Sequence, residues 1–373
     1  MANVARDAGQ PRAWSLVGYV AMLVGYLIAT YYSVIAGWTL AYIFKAGAGF
    51  GDAAPQQFEA LLADPKALVT WHTIFMAIAL FIVARGLKNG IEKVVTVLMP
   101  ALFAMLLLMI GYAAVEGDMG AGLNFLFSTD FSKIDSRTVL VAIGQAFFSI
   151  SVAMGLLMTY GSYVPKHVSL TKSALIIAGA DTLVALLAGL MIFPLVFGNN
   201  LDPGSGPGLI FRTLPMAFAE MPGGTVFGVV FFILLAFAAV TSLIAIIEPI
   251  VRFAEGTWNM PRRVGPLVFG VLGWAIGLLT VVSVIIWEEV YPLGQFGAFA
   301  ELNPYGLIDY FTANLMMPLG GILMALFVGW LVKPEVLAED LSFSSPLLAK
   351  AWLWMIRIVV PLAILWIMYD TLL

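Results

Sequence analysis

Long apolar runs separated by short polar stretches divide this chain of 373 residues into nine segments, at about 15–44, 68–85, 91–114, 139–160, 174–197, 226–254, 265–287, 306–332 and 351–370. Each is long enough to cross a hydrocarbon core of about 30 Å at ~1.5 Å per residue. The first and sixth exceed what one crossing needs, which predicts tilt or extension beyond the bilayer. The pattern therefore predicts an all-α polytopic membrane protein. Composition agrees: 62% of residues are hydrophobic, only 11% are charged, and the mean hydropathy is +1.00. A soluble domain of this size could not bury that much apolar surface.

Charge then orients the segments. Twelve Lys and Arg residues, among them Arg6, Arg85, Lys88, Lys166, Arg262 and Lys350, fall in the N-terminal tail and the even-numbered loops. The odd-numbered loops hold five: Lys45, Lys66, Lys133, Arg137 and Arg212. This bias places the N-terminus in the cytoplasm, and nine crossings then place the C-terminus outside. A net charge of −4 gives no sign of a nucleic-acid partner, and zero cysteines exclude disulfides and thiol chemistry. The first fourteen residues have no apolar stretch between a basic start and a cleavage site, so no signal peptide is expected.

The fourth segment departs from a lipid-facing pattern. It places Gln145, Ser149, Ser151 and Gly155 where such a helix carries Leu or Val. Two readings fit. One is close helix–helix packing through small residues. The other is a helix that unwinds and turns its freed backbone groups toward an ion or substrate. After the fifth segment, residues 198–224 are rich in Gly and Pro yet apolar at 209–218. That suits a helical lid folded back on the extracellular face, with a plain linker as the alternative.

Ionisable groups inside the segments narrow the chemistry. Asp181 lies about 10 Å below the cytoplasmic end of the fifth segment. A carboxylate there costs at least ~2.5 kcal/mol to insert. A hard cation such as Na⁺, held by Asp181, hydroxyls and backbone carbonyls, would satisfy it; a protonated structural Asp is the alternative. Glu248, followed by Pro249, is expected to be mainly structural, bonding to backbone that a broken helix leaves unpaired. Thr241 and Ser242 either close onto carbonyls of the preceding turn or, with the Ala238 carbonyl, offer oxygens to a cation. The hydroxyls of Tyr31 and Tyr32 need an acceptor at depth, a role that a substrate carboxylate fills. Asp309, at the start of the eighth segment, can simply be solvated. The two histidines, His72 and His167, have no partner at ligand spacing. No His–acid pair or nucleophile elbow points to an enzyme.

Four stretches carry a resemblance: Leu27-Ile-Ala-Thr-Tyr-Tyr-Ser-Val-Ile-Ala-Gly-Trp38, Gly144-Gln-Ala-Phe-Phe-Ser-Ile-Ser151, Gly206-Pro-Gly-Leu-Ile-Phe-Arg-Thr-Leu-Pro215 and Val240-Thr-Ser-Leu-Ile-Ala-Ile246. In order and spacing they resemble the neurotransmitter:sodium symporters, in particular the bacterial members with the LeuT-type fold. The resemblance implies a bundle of two inverted five-helix repeats plus additional helices, and sodium-coupled symport of an amino acid by alternating access. It implies that Tyr32 binds the substrate carboxylate and that Ile28, Ser149, Ser151, Met154 and Ile246 line the pocket under Phe148, an aromatic lid. Ser149 and Asp181 would hold a first sodium ion, and Ala238 through its carbonyl, Thr241 and Ser242 a second. Asp309 would belong to the extracellular gate and Tyr163 to the cytoplasmic one. Asp181 stands where many relatives carry Asn and implies a built-in negative charge, hence chloride independence. Met154 stands where some carry an aromatic ring, which implies an adaptable, roomier pocket. The implied partners are the amino acid, sodium as the coupling ion and the lipid bilayer. No other cofactor is implied, and a homodimer is left open.

The departures concern the ends of the pattern. The first segment here resembles the family's third helix, so helices 3–11 are expected. Residues 1–14 would be a cytoplasmic tail, 15–114 the remainder of the first repeat, 139–332 the second, and 351–370 an extra helix. The two unmatched helices supply, in the family, carbonyls to both sodium ions and the Arg opposite the residue that matches Asp309. A late-called start or a fragmentary gene is the expected explanation; a truncated, non-transporting remnant or a regulatory subunit is the alternative. Gly256 falls where an Asp is usual in the cytoplasmic gate, with Glu255 adjacent.

Overall fold

A computed structural model describes residues 2–372 apart from Thr129, Lys166, His167, Ser205, Ser342 and Ser344. His167 and Lys166, weighed above as a metal ligand and as an orienting charge, lie outside the described residues. Among those described, eight helices are long and apolar enough to cross a membrane, and no strand occurs. They are α1 (Ser15–Ala48), α2 (Pro65–Ala84), α3 (Lys93–Glu116), α6 (Leu170–Gly198), α8 (Gly224–Trp258), α9 (Val264–Ile285), α10 (Pro304–Leu331) and α11 (Pro346–Asp370). The fourth segment of the sequence is not one helix. It divides into α4 (Ser136–Ser149) and α5 (Leu156–Gly161).

The helix starts are written locally. Asp64 accepts the backbone N–H groups of Lys66 and Ala67 with Pro65 in the first turn, and Ser345 does the same for Leu347 and Leu348 before Pro346. Asn303 caps α10 in the same way ahead of Pro304. Each combines a short polar acceptor with a ring that cannot use its missing N–H, the arrangement that best satisfies the orphan donors of a helix start. The two over-long segments are single helices, 34 residues for α1 and 35 for α8. At ~1.5 Å per residue each exceeds a 30 Å core by about two-thirds.

Two corrections arise inside α8. Pro249 does not break it, and Glu248 bonds to side chains rather than to unpaired backbone. Prolines are tolerated in membrane helices where neighbouring groups make good the lost backbone bond.

Helices α1 and α8 form the axis of the bundle, and buried side chains around them form two large clusters. One holds Trp38, Tyr42, Phe211, Phe218 and Phe232; the other holds Ile28, Met154, Leu243 and Ile246. Close approach of α1 to α2 depends on Gly37, where a Cβ would stand 2.9 Å from the His72 backbone nitrogen. Small residues permit such backbone contacts between membrane helices. The expected lid is helical: π-type turns over Leu209–Thr213 lead into α7 (Leu214–Glu220). It folds back onto α1, with Phe211 buried and its carbonyl accepting the Tyr42 hydroxyl at 2.8 Å.

Candidate functional site

The break between α4 and α5 is made by backbone conformation. Ser151, Ala153 and Gly155 lie at φ 58°, 64° and 79°. A left-handed residue other than glycine costs roughly 1–2 kcal/mol, and Ser151 and Ala153 both bear it while Gly155 does not, so the helix ends here. Of the two readings left open by the sequence, unwinding is the one realised. The break is buried rather than lipid-facing: Ala153 and Met154 are 6% and 2% exposed. The Met154 carbonyl approaches α1 so closely that a Cβ at Gly25 would stand 2.9 Å from its oxygen. Irregular backbone at membrane depth survives only where protein or a cavity surrounds it.

Around this break the sequence-predicted pocket residues gather in part. Ile28, Met154 and Ile246 belong to one buried cluster, with Tyr32 packed against it. The Tyr32 hydroxyl faces Ser242. Ser151, Thr241, Ser242 and Ile246 line one cavity of about 510 Å³. Tyr32 and Ala238 line a separate one of about 260 Å³, beneath Phe211. Phe148 is not brought to Tyr32. It is 41% exposed and lines a third cavity against Asn314 of α10.

The candidate cation ligands form two groups. Ser149, at the last turn of α4, donates its hydroxyl to Asp181 of α6 at 2.9 Å. Both are partly or fully exposed. On α8, Thr241 donates to the carbonyls of Ala238 and Phe237 at 2.9 and 3.1 Å, so its oxygen and that of Ala238 are already adjacent. All of these are hard oxygen donors, the type an alkali cation accepts. No described group of three His, Cys, Asp or Glu side chains is arranged for a transition metal.

At the other end of α8 lies a charged cluster. Glu248 is 0% exposed and accepts Arg262 through both oxygens, at 2.9 and 2.5 Å. Tyr163, the expected gate residue, donates to Glu248 at 3.2 Å. The Arg252 guanidinium lies 5.6 Å over the Tyr163 ring and bonds Glu255 at 3.1 Å, while Glu255 also stands 3.7 Å from Arg262. Burial alone would lower the Arg262 guanidinium, but the hydrogen bond and charge of Glu248, with Glu255 beyond, hold it above its ordinary value. The sequence reading missed Arg262. A buried carboxylate with no cation in any span was its one signal, because the partner had to come from an adjoining loop.

Asp309 is half-buried rather than solvated. It faces Tyr31 and Tyr305, whose rings meet at 5.5 Å, and the Tyr31 hydroxyl lies between Asp309 and Thr312 without closing a bond to either.

Long apolar helices around one that unwinds in the protein interior, with hydroxyl and carboxylate oxygens beside the break, define a membrane transporter of the LeuT fold class. The sequence profile of the sodium:neurotransmitter symporter family matches residues 62–373, and the chain belongs to that family, one of sodium-coupled symporters and not of enzymes. It is 32% identical over 363 residues to an uncharacterized sodium-dependent transporter of Bacillus subtilis, YhdH, covering 95% of this chain and 78% of the relative. A second uncharacterized sodium-dependent transporter, from Haemophilus influenzae, is 31% identical over 98% of this chain and 81% of its own. Among solved structures, the crystal structure of MhsT in complex with L-phenylalanine superposes with a TM-score of 0.85 at 35% identity, covering 98% of this chain and 82% of that one.

Proposed function

We propose that the chain carries an amino acid across the cytoplasmic membrane together with sodium, by rocking one helix bundle against the other around a central site. The observation that carries the reading is the 2.9 Å bond from Ser149 to Asp181, which joins the unwound segment to α6 through two hard oxygens. Sodium placed there couples the conformation of the break to ion binding. Tyr32 takes the substrate carboxylate, and Ile28, Ser151, Met154 and Ile246 take the side chain, with Phe148 closing over them in another state of the cycle. Ala238, Thr241 and Ser242 hold a second sodium. The Asp181 carboxylate supplies the negative charge that an anion would otherwise provide, so transport is chloride-independent. Asp309 and the Tyr163–Glu248–Arg262 cluster gate opposite ends, the latter on the cytoplasmic side where Lys and Arg are concentrated.

MhsT was crystallised with L-phenylalanine, and the apolar Ile28–Met154–Ile246 wall suits a substrate of that kind here. The experiment is uptake of labelled L-phenylalanine into proteoliposomes under a sodium gradient. Uptake that is driven by sodium and absent with choline is expected; uptake indifferent to sodium overturns the reading. The exposure of Ser149 and Phe148 favours a second reading, a non-transporting membrane subunit on the same scaffold. Sodium-dependent binding without uptake would select it.

A further inference from the structure

Arg357 lies on α11, seven residues or about 10 Å from Lys350 toward the bilayer centre. An arginine at that depth is costly unless it is paired or reaches water. Arg252 and Arg262 have Glu255 and Glu248, but among the described residues no carboxylate pairs with Arg357. Its Nε donates to the Gly329 carbonyl of α10 at 2.5 Å, and the guanidinium carbon stands 5.1 Å from the centre of the Trp330 ring. Glycine permits the approach: a Cβ at Gly329 would stand 3.0 Å from the Arg357 Cγ. Both terminal nitrogens are left without an acceptor among the described residues. Their level follows from the neighbours. Helical side chains lean toward the helix N-terminus, here the Lys350 end. Trp330 and Trp354 are 58% and 66% exposed, as in the aromatic belt of a membrane boundary, and Lys333 and Lys350 are exposed beyond them. The guanidinium therefore snorkels out of hydrocarbon to the depth of the lipid headgroups.

We propose that Arg357 anchors the phosphate of a bound phospholipid, in the leaflet on the Lys333–Lys350 side, where α10 ends and α11 begins. A phosphodiester supplies what the site lacks: a negative charge shared by its unesterified oxygens, the shape that a guanidinium fork binds bidentately. The Gly329 bond and the Trp330 ring hold the fork in place beforehand, so little side-chain freedom is lost on binding. Leu323 and Leu319, on the same face of α10 as Trp330 and deeper in the bilayer, are exposed and give an acyl chain its track. Lys333 and Lys350 favour an anionic headgroup, phosphatidylglycerol over phosphatidylethanolamine. Arg357 belongs to α11 while its fork is held to α10, so an occupied site ties the two helices together.

The test is native mass spectrometry of the full chain, delipidated in detergent and titrated with four probes. Phosphatidylglycerol and phosphatidylethanolamine share the same chains, dioleoylglycerol lacks the phosphate, and oleate offers a carboxylate instead. Both phospholipids should bind, phosphatidylglycerol the more tightly, and dioleoylglycerol and oleate should bind far less. Arg357→Met should weaken both phospholipids at least tenfold. Lys350→Gln should cut the preference for phosphatidylglycerol about fivefold and leave phosphatidylethanolamine unmoved. Arg357→Lys keeps the charge but not the fork, so it should weaken both phospholipids by a smaller factor, and it carries the comparison if Arg357→Met does not assemble. Added phosphatidylglycerol should also raise the unfolding temperature of the unaltered protein by mass action, and raise that of the Arg357 variants less. Dioleoylglycerol or oleate bound as tightly as phosphatidylglycerol would overturn the proposal. So would phospholipid affinity, or its effect on unfolding, left unchanged by replacing Arg357. None of these readouts requires transport.

Discussion

Arg262 grips Glu248 through both guanidinium nitrogens, at 2.9 and 2.5 Å, and turns its remaining donors to the Val83 carbonyl of α2 at 2.9 and 3.1 Å. One side chain from the loop before α9 therefore ties α8 to α2. The pair is asymmetric: the arginine side chain is 18% exposed and the carboxylate 0%. A paired fork of this kind supplies geometry more than net stability. Removing one member, however, leaves a charge in a site that cannot solvate it.

Arg262→Met should therefore destabilise the protein by about 3–5 kcal/mol, because Glu248 is left unpaired. Adding Glu248→Gln to that variant should recover most of the loss. Thermal unfolding in detergent, followed by tryptophan fluorescence, reads both. A double variant no more stable than Arg262→Met would show that the fork to Val83, not the charge pair, dominates.

Asp181→Asn keeps the shape of the side chain and its contact with Ser149 but removes the charge. If Asp181 supplies the negative charge of the sodium site, this variant should transport only when chloride is present, whereas the unaltered protein should be indifferent to replacing chloride with gluconate. Equal uptake by the variant in both anions would remove the electrostatic role assigned to Asp181.

Tyr32→Phe deletes one hydroxyl beside Ser242. A hydrogen bond to a charged group is worth about 1.5–3 kcal/mol, so affinity for L-phenylalanine should fall at least tenfold, while its amide, which lacks the charge, should lose far less. Competition against labelled substrate separates the two. Equal losses would mean that Tyr32 packs rather than binds carboxylate.

The helices were readable in the sequence because a bilayer imposes length and apolarity on every crossing, and the caps at Asp64, Asn303 and Ser345 mark starts by local chemistry alone. The residues at 149–155 signalled that the fourth segment was unusual without deciding between packing and unwinding. That choice depends on where Gly25 and Met22 of α1 come to rest. Pro249 misled for the same reason: a proline breaks a helix only if the surroundings do not compensate. The Glu248–Arg262 pair joins residues on opposite sides of a turn, and the exposed position of Phe148 is set by where α4 and α10 come to rest. Neither carries a periodic or compositional mark. What the sequence did show at the site was the oxygen-bearing residue types. Their sorting into two groups belongs to packing.

Asp135 offers a pH test outside the spans. The Thr138 backbone N–H, and then its hydroxyl, both donating at 2.7 Å, hold the Asp135 carboxyl below its ordinary value of 3.8. With the folded value depressed, the cap's contribution is fully present above 3.8 and is lost as pH falls through the lower folded value. Hydrogen exchange in the first turn of α4, corrected for intrinsic rates, should keep constant protection down to about pH 4 and lose it below. Loss beginning near pH 6 would implicate a different group.

The strained break itself can be relieved or tightened. Ala153 sits at φ 64°, where a Cβ is unfavourable, and its methyl lies near Gly320 of α10. Ala153→Gly removes the strain at the expense of chain entropy in the unfolded state, and the net gain should be about 0.5–1 kcal/mol. Gly155→Ala does the reverse. At φ 79° it adds strain of roughly 1–2 kcal/mol, and the new Cβ would come into van der Waals contact with α1, 3.4 Å from the Met22 nitrogen. The two variants should shift thermal unfolding in opposite directions. If α4–α5 moves as a hinge about this segment, they should also shift uptake: Ala153→Gly loosens the hinge, and Gly155→Ala presses it against α1. A Gly155→Ala protein as stable and as active as the original would show that residues 151–155 adopt this left-handed path without needing glycine, and that the hinge lies elsewhere.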